Sequence, residues 1–396
     1  MTEDLLFTAL FDVEHNEDPY PLLHLLREKD PVHRLGDKPL WYCTRFGDCD
    51  RVLRDRDFVK VGDYPSLDLV TGAPLPPPPP GVAVPLAFLD PPEHTQIRAV
   101  MASGFTRDRI HALVPELETL AAEFLAPVVE EGGGEILSRV GHPLAMRVIC
   151  DVLGLPEEHR PAFRERIREV SRLFELRLPE DELFTALTAI FTMNGVFTEL
   201  AADPPPGLLS DLLAEGARTG RATGEEVVSS TVFLFSAGVE TVAYLIAATL
   251  YLLAENPEQY ALLRANPELA EAAVREAGRC HSPVQLNSRI AAADVELGGH
   301  RIPAGHVAVT MLGAANRDPE VYPDPDRYDI TRTGPAALTF SAGHHFCLGT
   351  RLAVAEAAAV VTALLAARVE DLMVLRAEWK DATMLRGLEW CDLELR

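Results

Sequence analysis

One stretch, GEEVVSSTVFLFSAGVETVAYLIAATLYLLAENPE beginning at Gly224, limits what this chain can become. It contains no proline before its last few residues and predicts one helix of about 30 residues, ~45 Å long. Because it is apolar nearly all the way round, it must run through a core and not along a surface. A rod of that kind needs a large body around it, and 396 residues, 47% of them hydrophobic, can supply one. Its most apolar part, residues 241–254, is too short to span a bilayer and has Glu240 at its edge. Length alone would allow two or three domains, but no strong linker breaks the chain. A single domain over residues 1–396 is therefore expected.

Around this helix the period changes along the chain. Residues from about 91 to 280 repeat at helix spacing, as in HTQIRAVMASGF, LETLAAEFLAPVVEE, HPLAMRVICDVLGL and ELFTALTAIFTMNGVFTELA, with DPPPG at 203–207 as an interruption. Residues 349–367 read as a second apolar helix, and PLLHLLREKD near the start as a short amphipathic one. Strand-like pieces fall at about 31–60 (PVHRL, PLWYCTRF), 284–310 (VQLNSRI, DVELGGHRIPAG, HVAVTML) and 370–396. Many helices with a minor sheet make the expected class mainly α, or α+β. PLPPPPPGVAVP can be neither helix nor central strand. Its proline run, 76–80, favours an extended segment, either a surface loop or a stiff wall of a ligand pocket.

The formal net charge is −24, from 60 acidic and 36 basic residues, which disfavours nucleic acid and anionic membranes as partners. Cys43, Cys49, Cys150, Cys280, Cys347 and Cys391 are scattered, with no CxxC pair, so neither a zinc framework nor a disulfide scaffold is indicated. The first residues, MTEDLLFTALFDVEHNEDPY, lack the basic and apolar pattern of a secretion signal. A cytoplasmic protein is expected.

The chemistry concentrates in FSAGHHFCLG, residues 340–349, where Gly343 and Gly349 bracket Cys347 and an apolar helix follows. Glycines let backbone approach something flat or bulky. Free N–H groups at the helix start lower a thiol pKa, and the thiolate is the form that binds metal or attacks carbon. Three readings stand: a core cysteine in a tight turn, a nucleophile with His344 or His345 nearby, or a metal ligand.

FSAGHHFCLG resembles the haem-binding loop of the cytochrome P-450 family, F-x-x-G-x-[HR]-x-C-x-G, through Phe340, Gly343, His345, Cys347 and Gly349. Further family motifs occur in order. EAAVREAGR resembles its E-x-x-R, with Glu276 and Arg279 three apart on one helix face. DPDRYD resembles its meander, which implies Arg327 as third member of a buried Glu-Arg-Arg triad bracing the cysteine loop. AGVET, residues 237–241, resembles A-G-x-[DE]-T, and PPEHTQIRAV resembles H-x-x-x-R through His94 and Arg98. Arg289 matches a further ligand for the cofactor's carboxylates, as does His345. The departures are Ser341, where glycine is frequent, Gly278, where leucine is usual, and Val242, where a second hydroxyl is common.

The resemblance spans nearly the whole chain, and its implications are specific. The cofactor would be haem b (iron protoporphyrin IX) between the two most apolar helices, with an axial thiolate from Cys347. Thr241 would stabilise dioxygen beside a widened helix turn, and Glu240 would feed protons from water. The substrate pocket would be lined by Phe233, Ala237, Val284, Leu286, Met384 and Leu385, with the 74–88 segment as another wall. These apolar residues suit a hydrophobic small molecule, with a polyketide or aromatic acid of secondary metabolism as the expected type. Arg168, Arg172 and Arg177 would either meet a substrate carboxylate or an acyl-carrier phosphate, or form a solvated face. No flavin or ferredoxin domain is read in the chain, so a separate ferredoxin and ferredoxin reductase are the expected electron donors. Hydroxylation is the expected reaction. Coupling, epoxidation or desaturation on the same haem, and a haem sensor without turnover, remain as alternatives.

Overall fold

In the computed structural model the long helix runs from Gly224 to Glu255. Its first turn is closed by a reciprocal cap: Glu226 N–H donates to the Thr223 hydroxyl at 3.2 Å, and Thr223 N–H donates to the Glu226 carboxylate at 2.7 Å. It ends at Asn256, where Pro257 opens the next helix. The structure describes residues 2–12, 18–60, 68–74, 83–176 and 178–396. The proline run 76–80 and Arg177 lie outside them.

Helices His142–Leu153, Glu180–Ala202, Leu208–Thr219, Ala270–Cys280 and Thr350–Ala366 all pack on this rod. The helix as a whole, unlike the 241–254 run alone, is long and apolar enough to cross a membrane, and so is Glu180–Ala202. The long helix has 72% of its apolar window buried inside the fold, as a core helix does, whereas Glu180–Ala202 has 22% and leaves Leu183, Phe184, Leu187 and Phe191 exposed.

The strands gather in small sheets that pack against the helices. β1 (Val32–Arg34), β2 (Leu40–Cys43), β3 (Phe58–Val59), β5 (Leu286–Ala291) and β8 (Val307–Met311) form a sheet in the order β1-β2-β8-β5-β3. Its β2–β8 pairing is parallel and the rest antiparallel. β4 (Gly133–Glu135), β10 (Leu388–Leu395) and β9 (Leu372–Trp379) form a second sheet, and β6 (Val295–Leu297) with β7 (His300–Ile302) a hairpin. β4 carries no strand signal in its sequence, GGE; only pairing with β10 makes it one. The architecture is mainly α with a small sheet region.

Candidate functional site

The cysteine loop is a folded object in its own right. Short turns at Leu338–Phe340 and Gly343–His345 bring Cys347 N–H onto the Phe340 carbonyl at 2.9 Å, and the Thr350 hydroxyl donates to the Cys347 carbonyl at 2.9 Å. Gly343 has φ +68°, and a Cβ there would collide with the Leu53 carbonyl, so the loop lies directly on helix Phe46–Arg54. Ser341 takes φ 62° and ψ −167°, a region populated almost only by glycine, and its hydroxyl is buried without a partner. Ser341→Gly is therefore expected to stabilise the protein by about 1–3 kcal/mol. An unfolding midpoint that fails to rise would refute this account of the strain.

The thiol of Cys347 has a mixed environment. Burial raises its pKa; the Thr350 hydroxyl, the Gly349 and Thr350 N–H groups and the charge of Arg98 oppose this, and the net shift is upward. The lowering expected from a helix start is thus outweighed by desolvation. Yet the residue is exposed by surface area. Protein crowds round it, but its surface is open to a ligand. Among the described residues, the one close grouping of three metal-type ligands is Asp90, His344 and His345, and Cys347 is not part of it. An ion bound at this sulfur must bring its other ligands along, and coordination would remove the proton that burial retains.

A cluster of three histidines and Arg289 lies beside the loop. The His94 ring stands 4.3 Å from that of His345 and 5.3 Å from that of His344, centre to centre. Both ring nitrogens of His94, Nε2 of His344 and of His345, and Nε and Nη2 of Arg289 are buried without partners in the chain. Burial lowers the pKa of His94 to about 4 and that of Arg289 to about 10; burial and then Arg289 depress that of His345. So many buried nitrogens without partners call for a polar ligand, and the two open N–H edges of Arg289 call for an anionic one. The carboxylates of haem meet that need, and the residues present fit the group. Arg98, expected to join His94 at the same anion, donates through Nη2 to the Phe346 carbonyl at 2.6 Å and steadies the cysteine loop.

Behind the loop, Arg279 grips Glu276 with two bonds of 2.8 Å. The third member of the triad is Arg332, whose Nε donates to Glu276 at 2.8 Å. Arg327, the member expected from the meander, contributes only its carbonyl, which accepts from Arg279 and Arg332 at 3.0 Å. Both arginines lie in an irregular segment, so no period in the sequence could choose between them. The triad reaches the cysteine through Asn316: Arg279 donates to its carbonyl at 2.9 Å, and its side chain accepts from Leu338 N–H at 2.7 Å and donates to Thr339 at 3.2 Å. Gly278 belongs to this contact. A Cβ there would stand 3.1 Å from Thr339 and 3.3 Å from Leu245, so the glycine admits the loop and the long helix and does not merely loosen its own helix.

On the long helix, Phe233, Leu234, Ala237, Gly238 and Thr241 stay half-buried while most neighbours are fully buried. Their spacing is one helix face, which the rest of the protein leaves incompletely packed. The helix is continuous through this region, without the widened turn that the resemblance implied, and the Thr241 hydroxyl donates to the Ala237 carbonyl at 2.6 Å. Glu240 is buried and bonds His142 at 3.2 Å. Burial raises its pKa, but hydrogen bonds from His142 and Tyr244 prevail and the net shift is downward.

Phe233 meets Phe88 edge to face at 5.3 Å and Phe174 at 6.0 Å. Phe88 ends the 74–88 segment expected as a wall, whereas Phe174 was not foreseen, because an isolated aromatic carries no signal of its own. Val284 pairs with Leu385 as an isolated β-bridge. Leu286 and Met384, expected as pocket walls, pack instead in the N-terminal core with Leu6, Tyr42 and Met311. Strand alternation turns Leu286 to that side of the sheet.

One sulfur offered to an ion that carries its own equatorial ligands, with buried donors set aside for carboxylates, defines the class as haem-thiolate proteins. The family profile for Cytochrome P450 matches residues 198–367. Vitamin D(3) 25-hydroxylase of Pseudonocardia autotrophica is 32% identical over 390 residues, 96% of this chain and 94% of that protein. 6-deoxyerythronolide B hydroxylase of Saccharopolyspora erythraea is 33% identical over 310 residues, 77% of this chain and 76% of that one. Among solved structures, P450BioI, crystallised in complex with a hexadec-9Z-enoic acid ligated acyl carrier protein, matches with a TM-score of 0.85 at 28% identity, covering 97% of this chain and 100% of its own. The chain belongs to the cytochrome P450 family, as a P450 monooxygenase of the bacterial kind.

Proposed function

We propose that this enzyme hydroxylates a hydrophobic small molecule, of the polyketide or aromatic-acid type found in secondary metabolism. Dioxygen would be the oxidant and a separate ferredoxin with its reductase the electron source, in the cytoplasm. The observation that carries this reading is the apolar, half-buried face Phe233–Thr241 in a helix otherwise packed solid. Two relatives named as hydroxylases support the reaction type.

Haem would be held by the Cys347 thiolate and by His94, Arg289 and His345, and would supply the oxidising chemistry. The chain's own part is to exclude water, pose the substrate and deliver protons. Phe88, Phe174 and Phe233 close the apolar end and favour a non-polar substrate. His142, only partly buried, stands between solvent and the Glu240 carboxylate and can pass a proton from its Nε2 to Oε2 of Glu240. The Thr241 hydroxyl, now on the Ala237 carbonyl, can turn to donate into the pocket. A carrier-bound substrate is the second reading, prompted by the P450BioI complex. Arg168 is exposed and free to serve it by position, whereas Arg172 is engaged by Glu182 at 2.6 Å.

Thr241→Ala is expected to keep consuming reductant while product per reductant falls by about an order of magnitude and peroxide appears. Unchanged coupling in that variant would remove the proton-delivery role. The reading itself is tested by screening hydrophobic compounds for a shift in the haem spectrum. Binders are then supplied with NADH, a surrogate ferredoxin and its reductase. A hydroxylated product supports the proposal; steady reductant use without any oxygenated product from any binder refutes it.

A further inference from the structure

The geometry points to Lys60 as a further positioning residue for the cofactor, acting through Asn287 to aim Arg289 at the carboxylates. This rests on the haem reading above. Lys60 follows directly on β3, where Phe58 pairs with Ala291 and Val59 with Ile290. Carrying that antiparallel register one step further sets Lys60 opposite Arg289. Like charges directly across a sheet repel, and nothing in ordinary strand packing favours the arrangement.

Asn287 makes the pair tolerable. Its Oδ1 accepts from the Lys60 ammonium at 2.9 Å and from Arg289 Nη1 at 2.8 Å. Arg289 Nη1 also donates to the Ser288 carbonyl at 2.8 Å. With Nη1 tied back in this way, Nε and Nη2 of Arg289 are the edge left to face the cofactor, and both are buried and unpartnered. The Lys60 backbone N–H holds both carboxylate oxygens of Asp90, at 2.8 and 3.0 Å, which anchors the chain where the ammonium emerges. Burial and then Arg289 push the Lys60 ammonium well below its ordinary pKa, with Asp90 opposing. A protein that strains two cations against each other in a shielded site is arranged for an anion to relieve both. Lysine is also an uncommon choice in this chain, with Lys29, Lys38, Lys60 and Lys380 the only examples. A compact ammonium with rotatable donors reaches a neighbouring amide where a planar guanidinium would compete with Arg289 for the same edge.

The test compares haem loss from holoenzyme to excess apomyoglobin with the melting of the haem-free protein. Lys60→Met is expected to lose haem about tenfold faster, while its haem-free form melts at the same or a higher temperature, since a buried like charge is gone. Lys60→Arg should restore part of the retention. Asn287→Ala should lose haem about as fast as Lys60→Met, and the double variant no faster than either. Wild-type haem retention in Lys60→Met would overturn the inference. So would equal destabilisation of the haem-free and haem-bound forms, which marks a purely structural group. If the unaltered chain takes up no haem at all, the haem reading fails and this proposal falls with it.

Discussion

Cys347→Ser is expected to abolish monooxygenation and to remove the carbon monoxide Soret band typical of thiolate-bound haem, while leaving the fold intact. The loop geometry explains why the two effects separate. Cys347 N–H bonds the Phe340 carbonyl, its carbonyl accepts from Thr350, and Gly343 seats the loop on the Leu53 backbone; none of these contacts uses the sulfur. Serine preserves them all and its size is close. What it lacks is a side chain that ionises here. Even the thiol is held protonated by burial, and a hydroxyl, far weaker as an acid, would stay so beside a metal of the same charge. On the proposed assignment the haem carboxylates would keep their partners in His94, Arg289 and His345, so some haem should remain bound with an altered spectrum. Retention of the thiolate-type band in Cys347→Ser would sink the ligand assignment.

Glu276→Ala should cost about 3–5 kcal/mol of stability, the range for removing one partner of a buried ion pair. Glu276 and Arg279 are both buried, and Arg279 is among the most deeply buried large side chains in the protein. Without the carboxylate, two guanidinium groups would face each other with no acceptor between them, one of them fully buried. The damage would travel along Asn316 to Leu338 and Thr339, and so to the loop that presents Cys347. The variant is expected to unfold at a clearly lower temperature and to hold haem poorly. Arg332→Ala should show the same pattern in weaker form, because its guanidinium is more exposed, and Arg327→Ala should do little, since only its backbone takes part. A midpoint for Glu276→Ala matching the unaltered protein would show that the network does not brace the loop.

The class of fold was legible because long helices advertise themselves. The run from Gly224 is long, free of proline and apolar nearly all the way round, and these local properties settle its length and its burial together. β4 was illegible for the opposite reason: GGE has no propensity for a strand, and a partner elsewhere imposes the conformation. In the site, Cys347, Gly343 and His345 could be read from ten consecutive residues. Ser341 stood out there as an odd residue, but its strained backbone became visible only once the loop was folded. His142 gave no signal at all, since nothing within its own helix marks it as the partner of Glu240.

Sequence by itself determined what lies within one element: the cysteine before its helix, the acid and alcohol on the long apolar rod, and the pairing of Glu276 with Arg279 one turn apart. Helix and turn geometry tie such neighbours together at fixed spacing, whatever the rest of the chain does. Tertiary structure alone decided that Arg332 and not Arg327 completes the triad, that Leu286 turns away from the pocket, and that Lys60 stands over Asn287 beside Arg289. Those choices depend on which side of an irregular segment or short strand faces inward. That is set by distant packing and charge, for which local spacing holds no record.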